Sequence, residues 1–204
     1  MNRRSVIVLL FFVLSGCATL DKEECQVADW RAIGYEDGAN GRELSYLGNH
    51  RKACAKYSIT PDMARYDAGR LLGLREYCTP RNGYDLGKSG RKYNSACMPP
   101  LETEFRAAWS HGIEVYKART QLQNSERRLK NRQKLAADLG RQIDERESVL
   151  VSDGVSSEQR KALLAEIKEL SRELDEVVSE VEELQERVVH DRRFFERVEA
   201  RYQY

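Results

Sequence analysis

Five cysteines, Cys17, Cys25, Cys54, Cys78 and Cys97, are the side chains of this 204-residue sequence best equipped for chemistry. A thiol can be a nucleophile, a metal ligand, an acyl acceptor or half of a disulfide, and its neighbours decide which. No Cys-x-x-Cys pair is present, and the histidine nearest a cysteine, His50, stands four residues before Cys54. Zinc ligation therefore lacks its usual spacing. Cys78 lacks the basic cluster that would mark a catalytic thiolate. His111, in Trp109-Ser110-His111-Gly112, has no paired carboxylate or nucleophile motif beside it. Asp37, Asp67 and Asp85 each fall one or two residues before a glycine, where helix-end hydrogen bonding accounts for them. The residues thus predict no catalytic site, no metal and no cofactor, and the chain is not expected to be an enzyme.

The odd cysteine is explained by what precedes it. Arg3 and Arg4 lead into an unbroken apolar run, Val6 to Leu14, followed by Ser15, Gly16 and Cys17. Basic residues, a short apolar stretch and small residues form the layout of a secretory signal. The run is too short for a permanent span, which needs roughly 20 residues. Leu14-Ser15-Gly16-Cys17 resembles the bacterial lipobox. That resemblance implies cleavage before Cys17, diacylglycerol on its thiol and an acyl chain such as palmitate on its new amino group. Two or three chains suffice for stable anchoring. Ala18 stands where an aspartate would resemble an inner-membrane retention signal, so the outer membrane, periplasmic face, is expected. The remaining 188 residues carry a net charge of −1.

Export would place the other four cysteines in an oxidising space, where disulfides are the default. Four cysteines allow three pairings. Cys25–Cys54 with Cys78–Cys97 is favoured because it closes the two shortest loops.

Residues 17–112 hold ten of the thirteen glycines and all four prolines. An aromatic residue precedes glycine by three positions in Tyr35-Glu-Asp-Gly38, Tyr66-Asp-Ala-Gly69, Tyr84-Asp-Leu-Gly87 and Trp109-Ser-His-Gly112. On a helix that spacing puts a ring and a backbone notch on one face. A helical glycine costs ~1 kcal/mol against alanine, so a close helix crossing must compensate. Three to five short helices are expected, interrupted at Thr60-Pro61-Asp62, at Thr79-Pro80-Arg81-Asn82-Gly83 and at Met98-Pro99-Pro100. Thr60 or Asp62 would cap a helix over 63–75, and Asn82-Gly83 reads as a turn. Trp30, Tyr35, Tyr66, Tyr84 and Trp109 are read first as core. The alternative is an exposed ring face that binds cell-wall glycan, with peptidoglycan as partner.

The same stretch resembles a known family. Asp29-Trp30, Gly34-Tyr35-Glu-Asp37-Gly38, Tyr66-Asp67-Ala-Gly69, then Tyr77-Cys78-Thr-Pro-Arg-Asn-Gly83-Tyr84-Asp-Leu-Gly87-Lys-Ser-Gly90 and Tyr93…Cys97 are similar to the bacterial lipoproteins catalogued as domain of unknown function 2799. The resemblance covers roughly residues 25–117. It implies an envelope lipoprotein and supplies no catalytic residues.

From residue 113 onward, 38 of 92 residues are charged, against 27 of 96 in residues 17–112. Leu163, Ile167, Leu170, Leu174, Val177, Val181, Leu184, Val188, Asp191, Phe195, Val198 and Tyr202 alternate at spacings of four and three, an a/d seam broken only by Asp191. A weaker seam runs through Leu122, Leu129, Ala136, Ile143 and Leu150, with Ser125, Arg132, Leu139 and Arg146 at the intermediate sites. Ser152-Asp-Gly154-Val-Ser-Ser157 is a loop in which Gly154 ends one helix and Ser156 or Ser157 caps the next.

The expected architecture is all-α: signal peptide 1–16, anchor and linker 17–24, a disulfide-held helical domain 25–112, and an antiparallel coiled-coil hairpin 113–204 with its loop at 152–157. The near-neutral charge excludes nucleic-acid binding by bulk charge. The expected partners are the membrane, through the lipid, and a protein or second copy, through the coiled coil.

Overall fold

The computed structural model describes residues 20–204. Seven α-helices occupy these residues: α1 Lys22–Val27, α2 Trp30–Ala39, α3 Leu47–Ala55, α4 Met63–Tyr77, α5 Pro80–Lys88, α6 Leu101–Leu150 and α7 Ser157–Arg201. A 3₁₀ turn at Leu44–Tyr46 leads into α3, and no strand occurs among the described residues. Local chemistry sets the helix starts. Asp21, Asp29, Asp62, Thr79 and Ser156 each accept a hydrogen bond from a first-turn backbone N–H.

The chain divides into two compact units. One takes the described chain through Cys78 together with Asn94–Leu101, and the other holds Thr79–Tyr93 and Glu102–Tyr204.

In the first unit α2 and α4 cross with their backbones in contact. A methyl group on Gly34 would overlap the Tyr66 carbonyl, and one on Gly38 the Arg70 carbonyl. From the other side, Gly69 abuts the carbonyl of Arg31 and Gly73 that of Tyr35. Cys25, Trp30, Leu47, Cys54 and Tyr66 form the core beside this crossing. Both disulfides belong to this unit: Cys25–Cys54 and Cys78–Cys97, each with Cα atoms 5.7 Å apart. The pairing is sequential.

The second unit repeats the crossing with α5 and α6. Gly83 faces the Phe105 carbonyl, Gly87 the Trp109 carbonyl, and Gly112 the Tyr84 carbonyl. The spacing Gly34, Gly38, Gly41 recurs as Gly83, Gly87, Gly90, and Tyr66, Gly69, Gly73, Tyr77 recurs as Phe105, Ala108, Gly112, Tyr116. Even the terminations match. Gly41 at φ +69° lies against the Tyr77 ring, and Gly90 at φ +76° lies against the Tyr116 ring. Arg42 N–H then bonds the Asp37 carbonyl, and Arg91 N–H bonds the Leu86 carbonyl. That is the Schellman closure, which requires the left-handed residue that glycine supplies.

Two expectations are corrected here. Asn82-Gly83 is not a turn; both residues lie in α5, because Thr79 caps the helix, Pro80 occupies its first turn, and Gly83 is there for contact with α6. The expected division at 112/113 falls inside α6, which runs unbroken from Leu101 past Gly112. A glycine seated against a neighbouring backbone does not end a helix.

Beyond the crossing, α6 and α7 form an antiparallel hairpin, on the order of 70 Å long at 1.5 Å per residue. Every residue of the α7 seam from Leu163 to Tyr202 is buried or half-buried. Its polar position, Asp191, meets its counterpart in the weaker seam: Asp191 accepts from Ser125 Oγ at 2.9 Å and from Gln121 Nε2 at 2.7 Å. Farther out, Arg132 pairs with Glu180 at 2.7 Å and Arg146 with Glu166 at 3.1 Å. The non-apolar positions of the α6 seam thus each have an assigned partner on α7, and together they fix the register.

Candidate functional site

Cys17 lies outside the described residues. Cys25, Cys54, Cys78 and Cys97 are consumed by the bridges. Trp30, Tyr66 and Tyr84 are 7%, 0% and 7% exposed, so they offer no ring face to a sugar. Tyr35 and Trp109 are half-buried. The Tyr35 hydroxyl donates to Glu76, and Trp109 Nε1 donates to the Arg91 carbonyl at 2.9 Å. The five rings are also split: Trp30, Tyr35 and Tyr66 sit in one unit, Tyr84 and Trp109 in the other. The glycan-face alternative loses its platform for these reasons. His111 stacks on Tyr202 at 4.2 Å between centroids and hydrogen-bonds the Tyr204 hydroxyl. It docks the C-terminal residues onto α6.

The three acids do not converge. Asp67 pairs with the buried Arg70 at 3.0 Å, and Asp85 is exposed on α5. Asp37 alone is the centre of a cluster. Its Oδ2 accepts from the Tyr66 hydroxyl at 2.8 Å and lies 2.7 Å from His50 Nε2. The rings of Trp30, Tyr46 and Tyr66 stand edge-on to His50, 5.5–6.3 Å away. Burial, and then the hydrogen bond to Asp37, push the Tyr66 phenol well above its ordinary pKa, so it stays a proton donor. This node ties α2, α3 and α4 together. Among the described residues no serine, threonine or cysteine is hydrogen-bonded to His50, and no group of three or more His, Cys, Asp or Glu could hold a metal ion.

The hairpin carries the other feature of note. A groove of about 410 Å³ lies along α6 and α7, with Lys117, Arg128, Arg187, Tyr116 and Asn124 around it and Asp191 in its lining. Lys117, Arg128 and Arg187 are exposed and have no ion-pair partner among the described residues. At Asp191, burial raises the carboxyl pKa, but bonds from Gln121, His190 and Ser125 outweigh it and hold the group below the usual range. Its charge is therefore fixed inside the hairpin while the three cations face outward.

Residues 29–114 match the family described as Protein of unknown function (DUF2799). The match spans 86 of the 204 residues. No curated protein and no solved structure matches the chain. The DUF2799 segment contains α2 through α5 and the opening of α6, hence both glycine crossings and the Asp37 node. The hairpin past Glu114, with its groove and its polar layer, lies outside it. Within the DUF2799 segment, sequence reasoning missed His50 as the partner of Asp37. Thirteen residues and a helix boundary separate the two, and helical periodicity carries no signal across such a gap. Outside the segment it missed the pairing of Ser125 with Asp191, although each was visible singly as a polar residue at an apolar position.

Proposed function

We propose that this protein is an envelope lipoprotein, held through Cys17 to the outer membrane on its periplasmic face, whose helical hairpin engages a protein partner and which performs no catalysis. One observation carries the reading: two disulfides account for four of five cysteines, and the fifth follows an apolar run in the sequence Leu14-Ser15-Gly16-Cys17. Bridges of this kind belong to oxidising compartments. Among the described residues no helix is long and apolar enough to cross a membrane, so the reading assigns attachment to acyl chains. A hairpin with a continuous apolar seam and unpaired surface charge supports an interaction role. Metabolic labelling with an alkyne fatty acid tests the anchor. The wild-type chain is expected to take up label and sediment with membranes, and Cys17→Ser to lose both. Label retained by Cys17→Ser would refute it.

A further inference from the structure

We propose that the hairpin's partner is a second copy of this chain, docked antiparallel so that the basic half of each hairpin lies along the acidic half of the other. The inference rests on the partner-binding reading above and specifies its occupant.

The charges of the hairpin are segregated along its length. Residues 117–134 hold seven lysines and arginines against one acid, and residues 187–201 hold five against three. Residues 135–186 hold six bases against fifteen acids. The fold aligns these segments in part. Ser125–Asp191, the Glu126–Arg192 pair at 2.6 Å and the Arg132–Glu180 pair at 2.7 Å place 117–134 beside 180–201, so Glu180 and Glu183 lie at the level of Arg128 and Arg132. Arg146–Glu166 lays the acidic residues of α7 before 180 on the outer part of α6. Cut at matched levels, residues 117–134 with 180–201 hold twelve bases and eight acids, net charge +4, at the end nearer the α5–α6 crossing, and residues 135–179 hold six bases and eleven acids, net charge −5, at the end nearer the loop.

Much of this charge is unspent. Lys117, Arg128 and Arg187 around the groove, and Glu145, Glu173 and Asp175 on the other half, are exposed and form no ion pair within the hairpin. The acidic half also buries its seam least: Leu163, Ile167, Leu170 and Leu174 are only half-covered, and Leu164 and Val178 are 54% and 43% exposed. A nucleic acid or an anionic lipid surface would satisfy the basic half and be repelled by the acidic one. A partner must present both signs in reverse order, and this chain turned end for end does so. A twofold axis makes the two contacts identical, as in an isologous dimer. A parallel pairing would set like against like.

The test uses the full-length chain in non-ionic detergent. Sedimentation velocity at about 0.05 M salt is expected to show a dimer whose dissociation constant weakens about tenfold or more at about 0.5 M, since the Debye length shrinks severalfold. Carbodiimide crosslinking of mixed isotope-labelled and unlabelled chains is expected to join Lys117 of one copy to Glu169 or Glu173 of the other. Within one copy Lys117 and Glu173 are roughly 35 Å apart along the hairpin, so this product reports the antiparallel dimer. The triple variant Lys117→Glu, Arg128→Glu, Arg187→Glu and the triple variant Glu145→Lys, Glu173→Lys, Asp175→Lys should each be monomeric, and their mixture should pair. A monomer at low salt, a salt-insensitive dimer, or interchain products joining Lys117 to Glu196 or Glu199 would overturn the proposal. In intact cells, hairpin crosslinks to a different envelope protein without self-crosslinks would overturn it while leaving the partner-binding reading in place. Absence of any hairpin crosslink would remove both.

Discussion

At the scale of single residues, the glycines separate into those that are needed and those that are not. Gly34 and Gly69 sit where a side chain would strike the backbone of the opposing helix. Moving a backbone is far costlier than moving a side chain tip, so Gly34→Ala should destabilise the first unit by about 3 kcal/mol or more, at the upper end for single substitutions. Gly140 lies in the middle of α6 with nothing near the position a methyl would take. Gly140→Ala should therefore stabilise by roughly 0.5–1 kcal/mol, the ordinary helix-propensity difference. Chemical denaturation of the two variants checks the contrast, and equal effects would contradict the crossing. The aromatic-x-x-glycine spacing announced that close helix contacts exist. It did not announce that they form two copies of one motif, because Phe105 and Ala108 stand where the first copy has Tyr66 and Gly69. Twenty-four residues, including α3, also separate Gly41 from Tyr66, against fourteen between Gly90 and Phe105.

At the scale of elements, the hairpin was the most legible part, since a long heptad repeat is a strong periodic signal and Ser156 with Gln159 forms a capping box at the start of α7. Partnership between helices is less legible, because periodicity describes one helix at a time. The Asp191 layer shows the consequence. Read alone, Asp191 is a defect in α7 and Ser125 a defect in α6; folded, they satisfy one another and only one register lets them meet. Asp191→Ala would remove the acceptor of Gln121 Nε2 and leave Ser125 Oγ only the Gln121 and Leu122 carbonyls of its own helix, and should cost about 1–3 kcal/mol. Leucine at 191 combined with alanine at 125 should recover much of that loss while relaxing the register, seen as exchange broadening of amide signals in the hairpin. The pH dependence has a definite sign. Asp191 is held below the ordinary aspartate range in the folded protein, so its contribution is complete above about pH 4 and is lost as pH falls through the lowered folded value. Thermal melts between about pH 2 and pH 6 should show a steeper acid loss for wild type than for Asp191→Asn, and parallel curves would contradict the assignment.

At the scale of the whole molecule, bulk composition was the least informative quantity. A net charge of +1 arises from a sparsely charged N-terminal half and a hairpin whose two ends are opposite in sign. Covalent stabilisation is just as unevenly distributed: both disulfides lie in the first unit, and the second contains none. Loops closed over 29 and 19 residues of separation should stabilise the first unit by about 3–4 kcal/mol each in the chain-entropy account. A unit of this size has little core to spare, so it should depend on its bridges. The second unit is held by the α5–α6 crossing, the long seam and the docked C-terminal rings, none of which senses redox state. Reduction should therefore act on one unit only. Hydrogen exchange followed by mass spectrometry, with and without a phosphine reductant, is expected to show protection lost across α2, α3 and α4 and retained across α6 and α7. The crossing motif is the same in both units, so their difference under reductant isolates what the bridges contribute. Protection falling together in both units would mean that the hairpin draws its stability from the bridged unit, and that the seam and rings are insufficient without it.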